Sequence, residues 1–397
     1  MIEAVTLAHV ARPLAALRGL GATNWTSVIA CDPRARTHLD GVDAAYVPLA
    51  SIPSEQFLDR LRRGAPVYDT DTLRRYVEAD LEVFRHTRPD LVIGDFRLSL
   101  SASARLARVP YATLASACWS PHYRPSAWPV PELPLTRLLP IEIAGTLFRI
   151  GRPIAFAAHA RSLNRVRRDH GLPSLGMDLR RVYTDADYVL YTDIPELYPM
   201  HRLPPTHRFV GPALWEPPSA TAIEWPATAT GRAIVYVTLG SSGPANLLPA
   251  IVASLGAMPV TALIATAGRI KLERVPANAQ VTDMLPGVEA ASRSDLVVCN
   301  GGSLVCYQAL AAGKPVIGIP SNLDQFLNMQ AIERAGAGLS IRADRLTERG
   351  VTEAVHRALA DDALRSRARE IAKAMQKHRI ADGMRGFLDQ TFGPATG

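Results

Sequence analysis

The chain has 397 residues, of which 48% are apolar and 20% charged, and its formal net charge at pH 7 is +7. This balance is that of a folded globular protein and excludes a disordered or collagen-like chain. The length favours two domains over one. No dense run of Lys or Arg is present, so we predict no nucleic-acid partner.

No targeting or membrane-spanning segment is recognisable. The first residues, MIEAVTLAHVARP, lack the basic start and the long apolar stretch of a signal peptide. No apolar run is long enough to cross a bilayer. The cysteines show neither CxxC nor zinc spacing, so we expect reduced, buried thiols in a cytoplasmic protein. They are Cys31, Cys118, Cys299 and Cys306.

Short β-rich runs alternate with helical patterns through the first half. Helices are predicted at Arg12–Leu20 and Leu73–His86, among others. The predicted strands are Ile2–Leu7, Trp25–Cys31, Ala44–Pro48, Asp90–Gly94, Tyr111–Ala115, Asp187–Thr192 and Arg208–Gly211.

A second alternating series follows in the C-terminal half. Its predicted strands are Ala233–Leu239, Pro259–Ala267, Gln280–Asp283, Asp295–Cys299, Pro315–Ile319 and Gly338–Ile341. Repetition of strand, helix and strand predicts an α/β fold with parallel sheets. Ligands of such sheets bind beyond the carboxyl ends of the strands.

The two series define the predicted domains. An N-terminal domain covers residues 1–212 and a C-terminal domain covers 233–375. Residues 213–232 are rich in proline and small residues and are interpreted as the interdomain linker. The closing segment 376–397 is predicted to pack back on the N-terminal domain. The linker and this segment would be the only two places where the chain crosses between domains.

The stretch after the predicted strand that ends at Cys299 has the composition of an anion site. Residues 300–303, Asn-Gly-Gly-Ser, turn the chain directly into a helix. Glycines allow close approach of the backbone to a ligand, and the N–H groups at a helix start attract anions. The next strand is followed by Asp324 and Gln325, whose side chains suit sugar hydroxyls. Diphosphate and sugar would bind on neighbouring strand ends.

These segments resemble the donor-binding signature of the UDP-glycosyltransferase superfamily, which includes bacterial macrolide and antibiotic glycosyltransferases. Its members have the GT-B fold, with two doubly wound, Rossmann-like domains facing across a cleft. Here Asn300 replaces the usual His, Gln308 replaces the usual Glu, and Met284 falls where an aromatic residue stacks on the base. The resemblance implies donor binding by Ser241, Ser242, Met284, Asn300, Gly301, Gly302, Ser303, Gln308, Asp324 and Gln325.

The N-terminal half supplies a predicted catalytic pair. Residues 6–13, TLAHVARP, resemble the family's G-H-x-x-P start, in which the His is the general base. The resemblance implies that His9 is the base and that Asp95, at the end of a predicted strand, orients it. An acceptor hydroxyl has a high pKa and needs a proton acceptor as it attacks. A buried carboxylate fixes the tautomer of the imidazole and stabilises its charged form.

Two loops after predicted strands, Ser51–Asp71 and Trp119–Leu139, are the candidate acceptor sites, and the second is rich in aromatic residues. Trp119, His122, Tyr123 and Trp128 are expected to line it, with ordinary packing of the rings under a long loop as the alternative. The apolar segment Leu138–Leu163 contains three interspersed arginines. It fits either a membrane-contacting face or a buried helix whose arginines reach solvent, and we favour the buried helix. The arginines are Arg149, Arg152 and Arg161.

The predicted function is that of an inverting, metal-independent glycosyltransferase. It would move a sugar from a UDP- or dTDP-sugar to a hydroxyl or amine of a small natural-product acceptor. No cofactor and no metal is expected, because backbone N–H groups would neutralise the leaving diphosphate. Two alternatives stay open: a nucleotide-sugar epimerase on the same fold, and a non-catalytic partner of a glycosyltransferase.

Overall fold

A computed structural model describes residues 1–20, 25–216, 225 and 231–393 of the chain. The chain divides into two compact units. Unit 1 comprises Met1–Ser126, Ile141–Ala213 and His378–Gly397, and unit 2 comprises Ala127–Pro140 and Leu214–Lys377. Most of the predicted linker, residues 217–224 and 226–230, lies outside the described residues.

The secondary structure alternates strands and helices. The strands are β1 Val28–Cys31, β2 Ala45–Pro48, β3 Val92–Asp95, β4 Tyr111–Ala115, β5 Tyr188–Tyr191, β6 His207–Phe209, β7 Ala233–Thr238, β8 Val260–Ala265, β9 Ala279–Thr282, β10 Leu296–Cys299, β11 Val316–Gly318 and β12 Gly338–Ser340. The α-helices are α1 Leu7–Leu20, α2 Ser54–Arg62, α3 Thr70–Thr87, α4 Leu100–Ala107, α5 Pro134–Leu138, α6 Ile141–Asp169, α7 Leu179–Tyr183, α8 Leu248–Gly256, α9 Gly287–Arg293, α10 Ser303–Ala311, α11 Leu323–Arg334, α12 Glu348–Ala360, α13 Asp362–Lys377 and α14 Ile380–Phe392. Each predicted strand after the first overlaps an observed strand.

The predicted first strand, Ile2–Leu7, is wrong. Only Ile2 forms a β-bridge, to Asp95, and α1 begins already at Leu7. The carboxylate of Glu3 is buried against Arg97 at 2.9 Å, and the chain turns directly after it. His9 therefore stands in the first turn of a helix instead of in a loop after a strand.

Unit 1 contains two parallel sheets, β1–β2 and β3-β4-β5-β6. The first three residues bridge them, because Ile2 N donates to Ala30 O (2.9 Å) and Asp95 N donates to Met1 O (3.2 Å). α14 packs against α1 and the second sheet, with Phe387 in a shared apolar cluster. The contact is close, since a Cβ at Gly383 would lie 2.3 Å from Val210 O.

Unit 2 contains one six-stranded parallel sheet in the order β12-β11-β10-β7-β8-β9. β7 and β10 are neighbours at the centre of the sheet. From β7 the chain continues to β8 and β9 on one side, and from β10 to β11 and β12 on the other. Connections therefore leave the carboxyl ends of these two strands toward opposite sides, which opens a crevice there. The parallel sheets with their helices confirm the predicted α/β fold class.

Residues 127–140, which we call the strap, were predicted to lie in the N-terminal domain but belong to unit 2. The chain thus crosses between the units four times, and the prediction of two crossings is wrong. The strap is rich in proline, so its carbonyl groups need partners other than a strand ladder. Side chains elsewhere in unit 2 donate to three of these carbonyl groups, and in two further bonds the strap is the donor. The contacts are Glu132 N to Ser321 O (2.8 Å), Arg342 Nη1 to Val130 O (2.8 Å), Arg345 Nη2 to Thr136 O (2.7 Å), Thr136 Oγ1 to Asp344 Oδ2 (2.5 Å) and Gln330 Nε2 to Ala127 O (3.0 Å).

The predicted buried helix within Leu138–Leu163 is α6, and the interpretation as buried is wrong for one side of it. Ile150 and Ile154 are 69% and 76% exposed, whereas Phe156 and Ala160 on the other side are buried. The apolar composition of the segment predicted burial on all sides. In the structure one apolar stripe of α6 covers the core of unit 1 and a second stripe faces solvent. Within the described residues, no helix is both long and apolar enough to cross a membrane.

Candidate active site

His9 and Asp95 meet in unit 1 as the sequence predicts. His9 is held in the first turn of α1, and Asp95 is the last residue of β3. His9 Nδ1 lies 2.7 Å from Asp95 Oδ1. The carboxylate is fully buried and the imidazole is 14% exposed. This is the arrangement in which a carboxylate holds the Nδ1–H tautomer and leaves Nε2 to accept a proton.

Arg12, one turn further along α1, completes the cluster and was not assigned a role from the sequence. Its Nη2 lies 2.8 Å from Asp95 Oδ1 and 2.7 Å from His9 Nδ1. A guanidinium has only donors, so it bonds Nδ1 only when that nitrogen carries no proton. Arg12 and the proton on Nδ1 therefore compete, and the base-competent tautomer is the one in which His9 donates to Asp95.

The two carboxylate oxygens of Asp95 differ in their hydrogen-bond partners. Within the described part of the chain, Oδ2 is buried and has no hydrogen-bond partner. A carboxylate that is poorly solvated attracts a neighbouring cation strongly. The other oxygen, Oδ1, contacts both Arg12 and His9, at 2.8 and 2.7 Å.

A row of aromatic rings extends from His9. Phe96 has φ +55°, a left-handed conformation that is uncommon for a bulky residue and is found at functional sites. This conformation stacks its ring on His9, with 4.6 Å between centroids and 24° between planes. Phe96 then contacts Tyr183 at 5.3 Å, and Tyr183 contacts Trp119 at 5.0 Å. Phe57 lies edge-on to His9 at 6.2 Å.

Of the four predicted acceptor residues, only Trp119 belongs to this row of rings. Tyr123 is buried against Tyr198, with centroids 5.2 Å apart. His122 lies edge-on to His207 at 5.1 Å, where burial and the nearby His122 lower the pKa of His207 to about 4. Trp128 lies in the strap and belongs to unit 2. For Tyr123, packing under a long loop is the better interpretation.

The predicted phosphate loop lies at the crevice of unit 2. Residues 239–243 follow β7 and residues 300–302 follow β10, so both loops leave the sheet where the strand order diverges. Gly302 is the N-cap of α10 and supplies no side chain to cap it. The first N–H groups of a helix have no partner within the helix. They are therefore available to an anion at this end of α10.

Side chains in this loop act as braces. Asn300 Oδ1 accepts from Gly302 N (3.0 Å), and Asn300 Nδ2 donates to Ser242 Oγ (3.2 Å). Buried Asn328 donates from Nδ2 to Gly301 O (2.8 Å). Asn300 joins the two loops of the crevice, a task that the sequence analysis did not foresee. Its amide shapes the backbone that would face a phosphate.

Gln308 and Met284 lie further along the same side of the sheet. Gln308 is buried and donates from Nε2 to Trp215 O (2.7 Å). A Cβ at Gly287 would lie 2.5 Å from Gln308 Oε1, so glycine makes room for this side chain. Gln308 thus anchors the start of the predicted linker on unit 2. Met284 is half-buried between β9 and α9.

Asp324 and Gln325 are neighbours in the sequence, but their side chains have different surroundings. Asn322 and Gln325 form a capping box at the start of α11, with Gln325 Oε1 accepting from Ser321 N (3.0 Å) and Ser321 Oγ (3.1 Å). Gln325 is buried and its carbonyl oxygen is committed to the loop. Asp324 lies in the first helical turn and keeps a half-exposed side chain.

The sequence analysis did not single out Arg12, Phe96, Tyr183 or Asn328, and it named the loop that contains Phe57 without that residue. A polar Asn in an otherwise apolar stretch of α11 was a readable signal for Asn328, and Phe96 directly follows Asp95. Tyr183 comes from a distant segment and gave no local signal. Among the described residues, no three His, Cys, Asp or Glu side chains are grouped so that they could hold a metal ion.

The fold is that of the GT-B glycosyltransferases. The chain matches the spinosyn rhamnosyltransferase SpnG with a TM-score of 0.69 over 98% of both chains at 20% sequence identity. Structures of that protein contain thymidine diphosphate or the spinosyn aglycone. Residues 249–380 match the family described as the erythromycin biosynthesis protein CIII-like C-terminal domain.

Sequence relatives identify the family. A PGL/p-HBAD biosynthesis glycosyltransferase of Mycobacterium tuberculosis (strain H37Ra) is 48% identical, over 94% of this chain and 87% of that protein. A PGL/p-HBAD biosynthesis rhamnosyltransferase of Mycobacterium bovis (strain BCG) is 48% identical, over 95% and 84%. The chain belongs to this family of glycosyltransferases, and the predicted enzyme class is confirmed.

Proposed function

We propose that this glycosyltransferase moves a sugar from a nucleoside diphosphate to a hydroxyl group by a single displacement that inverts the anomeric carbon. The contact of 2.7 Å between His9 Nδ1 and Asp95 Oδ1 carries the proposal. The pair has the geometry of a general base and its orienting carboxylate. Such a base serves an oxygen nucleophile that must lose a proton.

His9 takes the proton of the acceptor. With its Nδ1–H donated to Asp95, the lone pair on Nε2 removes the proton as the acceptor oxygen bonds to the anomeric carbon. The bond from that carbon to the diphosphate oxygen breaks on the opposite side, and its electron pair leaves with the diphosphate. The charge that develops on His9 is offset by Asp95.

Unit 2 receives the leaving diphosphate. The first N–H groups of α10 supply fixed hydrogen-bond donors and the positive end of a helix dipole. The loop after β7, with Ser241 and Ser242, is assigned to the same diphosphate, because Asn300 donates to Ser242 Oγ and joins this loop to the start of α10. Asp324 is assigned to the sugar hydroxyls. Since these donors compensate the charge, we propose that transfer is independent of metal ions.

The acceptor is a small molecule with an aromatic ring near the reacting hydroxyl. Phe96, Tyr183 and Trp119 form a row of half-buried rings that begins at His9. Aromatic side chains favour offset or edge contacts with a planar ligand. The donor is proposed to be a dTDP-activated 6-deoxyhexose, because SpnG binds thymidine diphosphate and two similar proteins are named rhamnosyltransferases.

The test combines a panel of sugar nucleotides with phenolic acceptors. We expect transfer from dTDP-rhamnose. NMR coupling constants should show that the product has the anomeric configuration opposite to that of the donor. The rate should not change in excess chelator. Retention of configuration contradicts the displacement. Loss of activity in chelator, restored by a divalent cation, contradicts metal independence. An epimer formed from donor alone would support the epimerase alternative instead.

A further inference from the structure

Helix α6 presents a stripe of aliphatic side chains to solvent. The stripe is formed by Ile143, Leu147, Ile150 and Ile154, which follow one another at intervals of four, three and four residues. This spacing places them on one side of the helix. Their exposed fractions are 50%, 49%, 69% and 76%. The opposite side, with Phe156 and Ala160, is buried against unit 1, so the stripe is not part of the core.

Basic residues continue the same side of the helix. Arg161 and Arg168 follow Ile154 at intervals of seven, and Arg165 lies between them; all three are exposed. Residues 143–168 contain six arginines and no acidic residue. Arg167 is buried against Asp185, and the exposed Glu142 directly precedes the stripe. Asp169, which ends the helix, is paired with Arg74 at 2.6 Å. The exposed face is therefore apolar over its first half and positively charged over its second half.

We propose that this face of α6 binds the surface of a bilayer that contains anionic lipids. Aliphatic side chains with flanking arginines and no acidic residue are typical of helices that lie in the membrane interface. The arginines complement lipid phosphates, and the stripe enters the acyl boundary. A second copy of the chain would bring its own arginines to the contact, so charge complementarity favours lipid over self-association. The contact is peripheral and needs no spanning segment.

The proposal is tested by co-sedimentation of the purified chain with vesicles. Neutral vesicles of phosphatidylcholine are compared with vesicles containing one quarter phosphatidylglycerol. We expect binding to the anionic vesicles that weakens as salt is raised. Replacing two stripe residues, Ile150→Ser with Ile154→Ser, should lower the partition coefficient by about 10- to 100-fold. Arg161→Gln with Arg165→Gln should lower it about fivefold per arginine on anionic vesicles only.

A matched control separates this face from general surface hydrophobicity. Met177 and Val275 are 73% and 50% exposed and lie outside α6. Met177→Ser with Val275→Ser should bind vesicles as the unaltered chain does. All variants alter exposed positions, so equal melting temperatures are expected and verify the fold.

Three results would overturn the proposal. The first is absence of binding to either kind of vesicle. The second is equal loss in the stripe variant and in the control variant. The third is a dimer by light scattering that the stripe variant converts to a monomer, which would assign this face to a second copy of the chain.

Discussion

The candidate sites of the two units are built on different principles. In unit 1 the proposed reacting groups are side chains: His9, Arg12 and Asp95 contact one another at 2.7–2.8 Å. In unit 2 the groups assigned to the diphosphate are mainly backbone N–H groups, and several polar side chains hold that backbone in place, whereas Asp324 is the side chain assigned to the sugar. Asn300 and Gln325 commit atoms to their own loops, and Asn328, on α11, donates to Gly301 O in the loop after β10.

This difference separates chemistry from binding. A substitution in the side-chain cluster of unit 1 removes a reacting group while leaving the donor site intact. A substitution of a brace in unit 2 changes the shape of the donor site and the stability of the unit together. The pattern of kcat, affinity and melting temperature should therefore report which unit was altered.

Replacing the base should have the largest effect. His9→Ala removes the proton acceptor, so kcat should fall by roughly 10²–10⁴. The Kd for the nucleoside diphosphate should not change, because the substitution lies in unit 1. The measurement is steady-state kinetics with an alkyl alcohol acceptor, since a phenol loses its proton more readily and needs less help.

His86→Ala is the matched control, because His86 lies on the exposed side of α3 and is 73% exposed. Its kinetics should equal those of the unaltered enzyme. Full activity of His9→Ala on an alkyl alcohol would show that the base lies elsewhere and would remove the distinction drawn for unit 1.

The pair Asp324 and Gln325 sharpens the distinction within unit 2. Asp324→Ala should reduce kcat/KM by about 30- to 1000-fold, which corresponds to about 2–4 kcal/mol for a lost charged hydrogen bond. Its melting temperature and its affinity for free nucleoside diphosphate should be unchanged. Gln325→Ala should instead lower the free energy of unfolding by about 1 kcal/mol, because it removes half of a capping box. The same loss of stability in both variants would contradict the separate roles.

The phosphate loop offers the next test. Gly302→Val should weaken binding of UDP and dTDP by about 10- to 100-fold in calorimetry, through lost backbone hydrogen bonds to the diphosphate. Gly302 has φ −72°, which valine tolerates, and a Cβ there would lie 3.2 Å from Asn300 Oδ1. The fold should survive, with an unchanged circular dichroism spectrum. Unaltered diphosphate affinity would remove α10 from the donor site.

The sequence predicted the strands of both units well, because each is a short apolar run bounded by turn residues. The pairing of His9 with Asp95 was also predicted, although the helical setting of His9 was not. A run such as EAVTL favours a strand by composition. The burial of Glu3 against Arg97, 94 residues away, decides otherwise.

What could not be read locally depends on long-range partners. By its sequence alone the strap resembles a proline-rich acceptor loop. Its assignment to unit 2 depends on hydrogen bonds to Asp344 and Arg345, about 200 residues away in the sequence. The carboxamides of Asn300 and Gln325 match ligand-binding positions of the family. The residues next to them in the sequence do not indicate that their oxygens accept hydrogen bonds from backbone N–H groups. Tyr183 approaches Phe96 only because α7 and β3 are brought together by the fold. The exposed stripe of α6 has the same period as a buried one.

The strap supplies the smallest expected effect. Glu132 N donates to Ser321 O, and Ser321 in turn donates to Gln325, so the strap braces the loop that leads to Asp324. Thr136→Val removes the hydroxyl that binds Asp344 while keeping the volume of the side chain. A looser strap should raise the KM for the sugar nucleotide two- to fivefold, through a loss of about 0.5–1 kcal/mol, with kcat nearly constant. Thr352→Val is the matched control, because in the described part of the chain that hydroxyl bonds to Glu348 O within its own helix and makes no bond to the strap. A rise in KM shared by both variants would reflect general loosening of unit 2. A rise confined to Thr136→Val would show that a segment from the N-terminal half of the sequence shapes the sugar end of the donor site.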